Sequence, residues 1–321
     1  MEKPFIDCHT HVGVDPTFYL QGNFPYALDY RNLVEQASRN GIQRLVVFPF
    51  VAYFGWEGSD IHVPPQKNGE DFSVPYAFEN RRLLEEIHEL TPDFSDRALP
   101  FAIVDPERKP AEQVAALRKL KERFPIRGIK IQATIIRSRI RKLLEEGSCL
   151  VDLAAEWDVP MLIHSSIAAD DIWSQCSDIL DIAEANPGVR FCLAHSCRFD
   201  RPSLERLGTL PNTWFDCSAH CIHCDAAVDD LKVVAIPENR LEADYSRPDK
   251  VMKALYDMLP DRMMWGSDAP FYSYAAKHDD VMFSLFSSYE REVSALGLLS
   301  PAEKNAILHD NTLRFLGLAD V

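Results

Sequence analysis

The chain has no long apolar run. No segment approaches the ~18–20 consecutive apolar residues that a membrane-spanning helix needs. No apolar stretch follows Met1-Glu2-Lys3-Pro4, so no signal peptide is expected. Positive charge is scarce: 34 lysines and arginines stand against 49 aspartates and glutamates, a formal net charge of −15. That balance argues against non-specific binding to nucleic acid or to an anionic membrane. Internal repeats, low-complexity stretches and linkers are missing too, so residues 1–321 read as one domain. Cysteine is not scarce, but its eight copies (8, 149, 176, 192, 197, 217, 221 and 224) are scattered. A chain this long buries a large core without disulfide staples, so they read as reduced thiols, with a cytoplasmic setting as the default.

What is present is an alternation. Eight short apolar runs read as strands: residues 4–9, 44–50, 98–105, 127–132, 159–164, 189–195, 213–218 and 263–268. Most are continuous apolar runs, the pattern of strands buried on both faces. Helical patterns lie between them, at 29–40, 78–90, 110–124, 140–157, 171–185, 202–207 and 248–259, and follow the last at 279–296 and 301–309. Eight strand–helix alternations over this length predict a closed (β/α)8 barrel, with an open doubly wound sheet as the competitor. Two connections are long, Val51 to Ala77 and Ala219 to Arg247. Loops that follow barrel strands build the active face, so both are expected to wall a pocket.

The first strand ends in His-x-His. Residues two apart on a strand share a face, which groups Asp7 with His9 and His11. Two neutral imidazoles on one face make a seat for zinc. Any two histidines can fall two apart, so the pair alone carries little. The other strand ends add His164, His195 and Asp268. Polar residues in that position of a barrel read as functional, and five of them together point to a metal site.

These residues carry a resemblance. Ile6-Asp7-Cys8-His9-Thr10-His11, Leu162-Ile163-His164, Leu193-Ala194-His195 and Trp265-Gly266-Ser267-Asp268-Ala269-Pro270-Phe271 are similar to motifs of the amidohydrolase superfamily. They most resemble its branch of metal-dependent hydrolases and decarboxylases. The closing Asn311-Thr312-Leu313-Arg314-Phe315-Leu316-Gly317-Leu318 resembles that branch as well. The resemblance implies a single (β/α)8 barrel with one divalent metal ion, Zn2+ first among candidates. His9, His11, His164 and Asp268 would be its ligands. Asp268 would also be the catalytic base and acid, and His195 would stand beside the substrate.

Two stretches depart from that pattern. Some members bridge two metals with a carboxylated lysine on the fourth strand, where this chain has Lys130 and Gln132 on one face. Nothing else here supplies a bridging ligand, so one metal is expected. A buried Lys130 needs a carboxylate such as Asp7 or a depressed pKa. Cys221-x-x-Cys224, flanked by histidines, lacks the distant second pair of a zinc knuckle, and reads as a loop lining the pocket. Trp56, Gln132 and His220 are the candidate substrate contacts.

The expected activity is hydrolysis of a small-molecule ester, lactone or amide through a metal-activated water. Non-oxidative decarboxylation of a small carboxylic acid, aromatic acids included, is the alternative, since the same ligands serve both. A barrel that binds metal without chemistry is the third reading. The expected partner is a small-molecule substrate, with no nucleic acid and no membrane; nothing bars a homo-oligomer.

Overall fold

The computed structural model describes residues 3–50, 74–278 and 281–318. Its parallel barrel strands are β1 (Ile6–Val14), β2 (Arg44–Pro49), β3 (Ala98–Ile103), β4 (Gly128–Ile131), β5 (Met161–Ile163), β6 (Phe191–Leu193), β7 (Thr213–Asp216) and β8 (Met263–Met264). Each pairs in parallel with the next. The ring closes where β1 meets β8 and the residues after it. Cys8 N–H donates to the Trp265 carbonyl (3.1 Å), Asp268 N–H to that of His9 (2.9 Å) and His11 N–H to that of Ala269 (2.8 Å). The result is the (β/α)8 barrel that the alternation predicts.

The helices follow from apolar faces and end signals. In α1 (Tyr30–Arg39) the buried residues Tyr30, Leu33, Val34 and Ala37 recur at helical spacing. Asp29 caps its first turn through Asn32 N–H, a contact worth about 1 kcal/mol. The others around the barrel are α2 (Ala77–Glu85), α3 (Pro110–Lys121), α4 (Ser148–Trp157), α5 (Cys176–Ala185), α6 (Arg201–Thr209), α7 (His220–Val228) and α8 (Pro248–Met258). After β8 come α9 (Tyr289–Ser294), α10 (Pro301–Asn305) and α11 (Asn311–Leu316). Ile6, Cys8, Phe48, Phe101, Leu162, Cys192 and Met264 fill the barrel as one buried cluster, joined by Phe315 of α11. Among the described residues, no helix is long and apolar enough to cross a membrane.

Three expectations need correction. Asp7 does not share a face with His9 and His11. The β1–β2 register slips between Asp7 and Thr10, a bulge that breaks the two-residue period. Cys8 stays in the barrel interior, while Asp7 accepts from Tyr289 Oη (2.7 Å) and Ser267 N–H (3.0 Å). The helix expected over 279–296 is instead a hairpin, Tyr274–His278 with Val281–Leu285, followed by the short α9. The alternation of Val281, Phe283 and Leu285 suits a strand. The connection after β7 is not loop throughout, because it opens with α7. There Cys221 and Cys224 are buried free thiols rather than a zinc knuckle: the Cys221 thiol donates to the Arg291 carbonyl (3.5 Å), and Cys224 Sγ lies 3.6 Å from His220 Nε2.

The barrel wall tolerates no side chain at one position. A Cβ on Gly128 would fall 2.2 Å from the Phe101 ring. Gly128→Ala is therefore expected to cost ~1–3 kcal/mol by overpacking. Gly188→Ala, where a Cβ meets nothing within 4 Å, is the control. Thermal melts of the two variants check this: a Gly128→Ala melt matching the control would contradict the packing.

Candidate metal centre at the barrel mouth

Three buried side chains converge where β1 and β8 end. His9 Nε2 and His11 Nε2 each lie 3.3 Å from Asp268 Oδ1. One ligand atom from each residue lies within 4.8 Å of the others. The closing hydrogen bonds of the barrel hold the two segments in this register. Gly266 lets them approach, since a Cβ there would fall 2.6 Å from that of His9. Burial pushes His11 down to about 4, so its ring is neutral and offers a lone pair. Its Nδ1 is buried with no partner among the described residues. Two imidazoles and a carboxylate form a donor set that fits a divalent cation.

Asp216, at the end of β7, was missed in the sequence reading although it closes an apolar strand as His164 does. It is fully buried. Its Oδ2 accepts from His9 Nδ1–H (2.9 Å) and its Oδ1 from Ser218 Oγ (2.5 Å), Ser218 N–H (3.0 Å) and His195 N–H (3.0 Å). Burial pushes its pKa up, but the nearby His9 and these donors outweigh it and hold the carboxyl below the usual carboxylate range. With His9 Nδ1–H committed to Asp216, the Nε2 lone pair is left facing Asp268. Such outer partners fix tautomer and ring orientation at metal sites.

The other expected residues are placed as follows. Lys130 points inward, with Nζ 3.2 Å from His9 Nε2 and 4.6 Å from the Phe48 ring centre. Burial pushes it down to about 8, the depressed pKa foreseen for it in the absence of a carboxylate partner. Gln132 shares that face, and its Nε2 lies 3.0 Å from His164 Nδ1. His195 Nδ1 is 3.8 Å from Asp268 Oδ2, and its Nε2 is 3.0 Å from His164 Nδ1. His164 stands outside the group of three; its Nε2 accepts from Arg198 Nη2 (3.0 Å). His220 does not line the cavity: it donates from Nε2 to the Pro248 carbonyl (2.9 Å) and packs edge-on against Phe199, while His223 lines it instead. Trp56 and most of the aromatic loop after β2 lie outside the described residues.

One backbone feature had no sequence signal. His195, Ser196, Cys197, Arg198 and Phe199 all have φ between 48° and 63°. Left-handed backbone costs ~1–2 kcal/mol per non-glycine residue, and such strain concentrates at functional sites. The turn is fastened by His195 N–H on Asp216 and by Arg198 Nε donating to the Ser165 carbonyl (2.9 Å). It brings Arg198 back to a cavity of about 220 Å³ that the metal-site residues line together with Phe18, Phe271, Tyr274 and Phe283. The hairpin after β8 thus supplies two of the four rings.

A parallel barrel with a His-x-His and Asp donor set at its mouth defines a class of metal-site enzymes. The chain belongs to the amidohydrolase family, whose model, described as Amidohydrolase, matches residues 6–318. Solved structures share the fold at low identity. One is described as a candidate 2-pyrone-4,6-dicarboxylic acid hydrolase from Pseudomonas putida (18% identity, 99% of each chain, TM-score 0.60). A second is an amidohydrolase from Burkholderia multivorans with bound zinc (17%, 98% of this chain and 99% of that one, 0.60). A third is a dihydroxybenzoic acid decarboxylase from Polaromonas sp. JS666 with bound manganese and the inhibitor 2-nitroresorcinol (12%, 100% and 98%, 0.63). Among curated proteins, none matches this chain.

Two outcomes are expected. Asp216→Asn should weaken zinc affinity by ~10–100-fold, as removal of an outer partner does; competition against a chelator measures it, and an unchanged affinity refutes the role. Ser196→Gly should raise stability by about 1 kcal/mol by relieving φ 51°, while Ser196→Val lowers it. Denaturant unfolding would read the order of the three proteins.

Proposed function

We propose that this barrel is a metal-dependent hydrolase acting on a small-molecule ester, lactone or amide. The observation that carries the reading is the position of Asp268. One of its oxygens faces both imidazole nitrogens of the donor set, and the other faces His195. His9, His11 and Asp268 would hold the ion, with His164 as a further ligand once its Nε2 is released from Arg198. A divalent ion there supplies Lewis acidity and lowers the pKa of water to about 7. Asp268 would take the water proton and pass it to the leaving group. His195, kept neutral by burial and by the charge of Arg198, would orient the water or stabilise developing negative charge. Zinc is our first choice; the zinc and manganese in structures of similar fold support a divalent ion without choosing between them. A cytoplasmic setting is supported by eight free thiols. The partner is a small-molecule substrate, not nucleic acid or membrane, and assembly into a homo-oligomer stays open.

Decarboxylation is the second reading. It is supported by decarboxylases among the similar folds and by the aromatic side of the cavity, which suits a ring. Asp268 or His195 would then protonate the carbon that loses CO2.

The test uses metal-loaded protein, a panel of lactones, esters, amides and aromatic carboxylates, and 18O-labelled water. Label in the product acid is the expected result; CO2 release with no label in the organic product would assign the second reading. Asp268→Asn should lower kcat by ~10²–10⁴-fold. His195→Ala should keep the metal and lower kcat more than it raises KM. Should His195→Ala empty the site while Asp268→Asn turns over normally, the two roles are wrong.

A further inference from the structure

Arg198 is a cation on the cavity wall without a counter-ion among the described residues. Among the described residues its guanidinium makes three contacts: Nε to the Ser165 carbonyl, Nη2 to His164 Nε2 and Nη1 to His223 Nε2. None is a carboxylate, and no ion pair to Arg198 forms among the described residues. The nearby carboxylates are engaged elsewhere. Asp216 uses both oxygens on His9, His195 and Ser218. Asp171 accepts from Thr134 Oγ1 and from the N–H groups of Trp173 and Ser174. Asp268 faces the histidines.

A guanidinium has five N–H donors and stays protonated in proteins. Three are committed here, which leaves one on each terminal nitrogen. Packing such a group among neutral imidazoles is costly unless an anion completes it. The fold also keeps Arg198 there by a left-handed turn whose five residues are all strained. A planar fork with a donor on each terminal nitrogen matches the two oxygens of a carboxylate. Four aromatic rings share the cavity, and its volume of about 220 Å³ is below the ~300–1,000 Å³ typical of drug-sized ligand pockets.

We infer that Arg198 is the specificity-determining residue of this cavity and that its ligand carries a carboxylate on a small ring. This rests on reading the barrel mouth as a small-molecule site. His164 stands between Arg198 and the donor set, touching Arg198 through Nε2 and His195 through Nδ1. The carboxylate is therefore seated apart from the metal-facing oxygen of Asp268. In the hydrolytic reading it belongs to a part of the substrate other than the bond that is cut.

Isothermal titration with benzene-1,3-dicarboxylate and its neutral diamide tests this, using zinc-loaded and metal-stripped protein. The diacid is expected to bind at least tenfold tighter than the diamide in both forms. Arg198→Gln should erase that preference with zinc content unchanged, and Arg198→Lys, which keeps charge but loses the fork, should restore only part of it. Equal binding of the two probes to the wild type overturns the inference and needs no variant to fold. A preference that survives in Arg198→Gln but disappears on stripping the metal also overturns it, by placing the carboxylate on the ion. A protein that retains no zinc yet shows the Arg198-dependent preference would refute the metal reading and leave this one standing.

Discussion

The buried hydrogen bond from His9 to Asp216 is the contact on which the mouth of the barrel depends. In a dry interior a carboxylate persists only if donors surround it. Asp216 collects side-chain and backbone donors from β1, from the turn after β6 and from its own strand end. That one group sets the tautomer of His9, starts the left-handed turn at His195 and places the Ser218 hydroxyl between the two rings. Because the ring of His9 is fixed from behind, its Nε2 is held toward Asp268 and Lys130. The orientation of His9, the position of His195 and the turn that carries Arg198 are three consequences of the same buried charge.

The legible part of the sequence was the part written in short-range periodicity. Continuous apolar runs announced strands buried on both faces, and their count announced the closed ring. His9, His11 and Asp268 could be grouped because each stands at the end of such a run. Asp7 was grouped with them wrongly, because a bulge adds a residue and no propensity marks it. Asp216 was overlooked because its importance lies in what it touches across 207 positions of sequence. Arg198 was out of reach: its place depends on five left-handed residues without a glycine among them. The hairpin after β8 was readable from the alternation in Val281 to Leu285, and the helical reading of that stretch overrode it.

Charge is distributed unevenly. The chain carries an excess of 15 negative charges, yet its mouth holds Lys130 and Arg198 behind a layer of histidines. Burial, with the charge of Arg198 adding to it, pushes His164 and His195 well below the usual histidine range and keeps both rings neutral. An array of imidazoles backed by the Arg198 guanidinium attracts electron-rich groups.

The barrel seam joins the two ends of the described fold. Asp7 contacts Ser267 across 260 positions, and Tyr289 reaches Asp7 across 282. Contacts of that separation are slow to form, since the intervening chain must be ordered first. At ~5–20 residues per second of synthesis, β1 waits roughly 10–50 s for its partner, with an open strand edge meanwhile. His9 and His11 are made almost first and Asp268 almost last. The complete donor set therefore exists only in the finished ring, and an ion bound there would act as a latch on the final step of assembly.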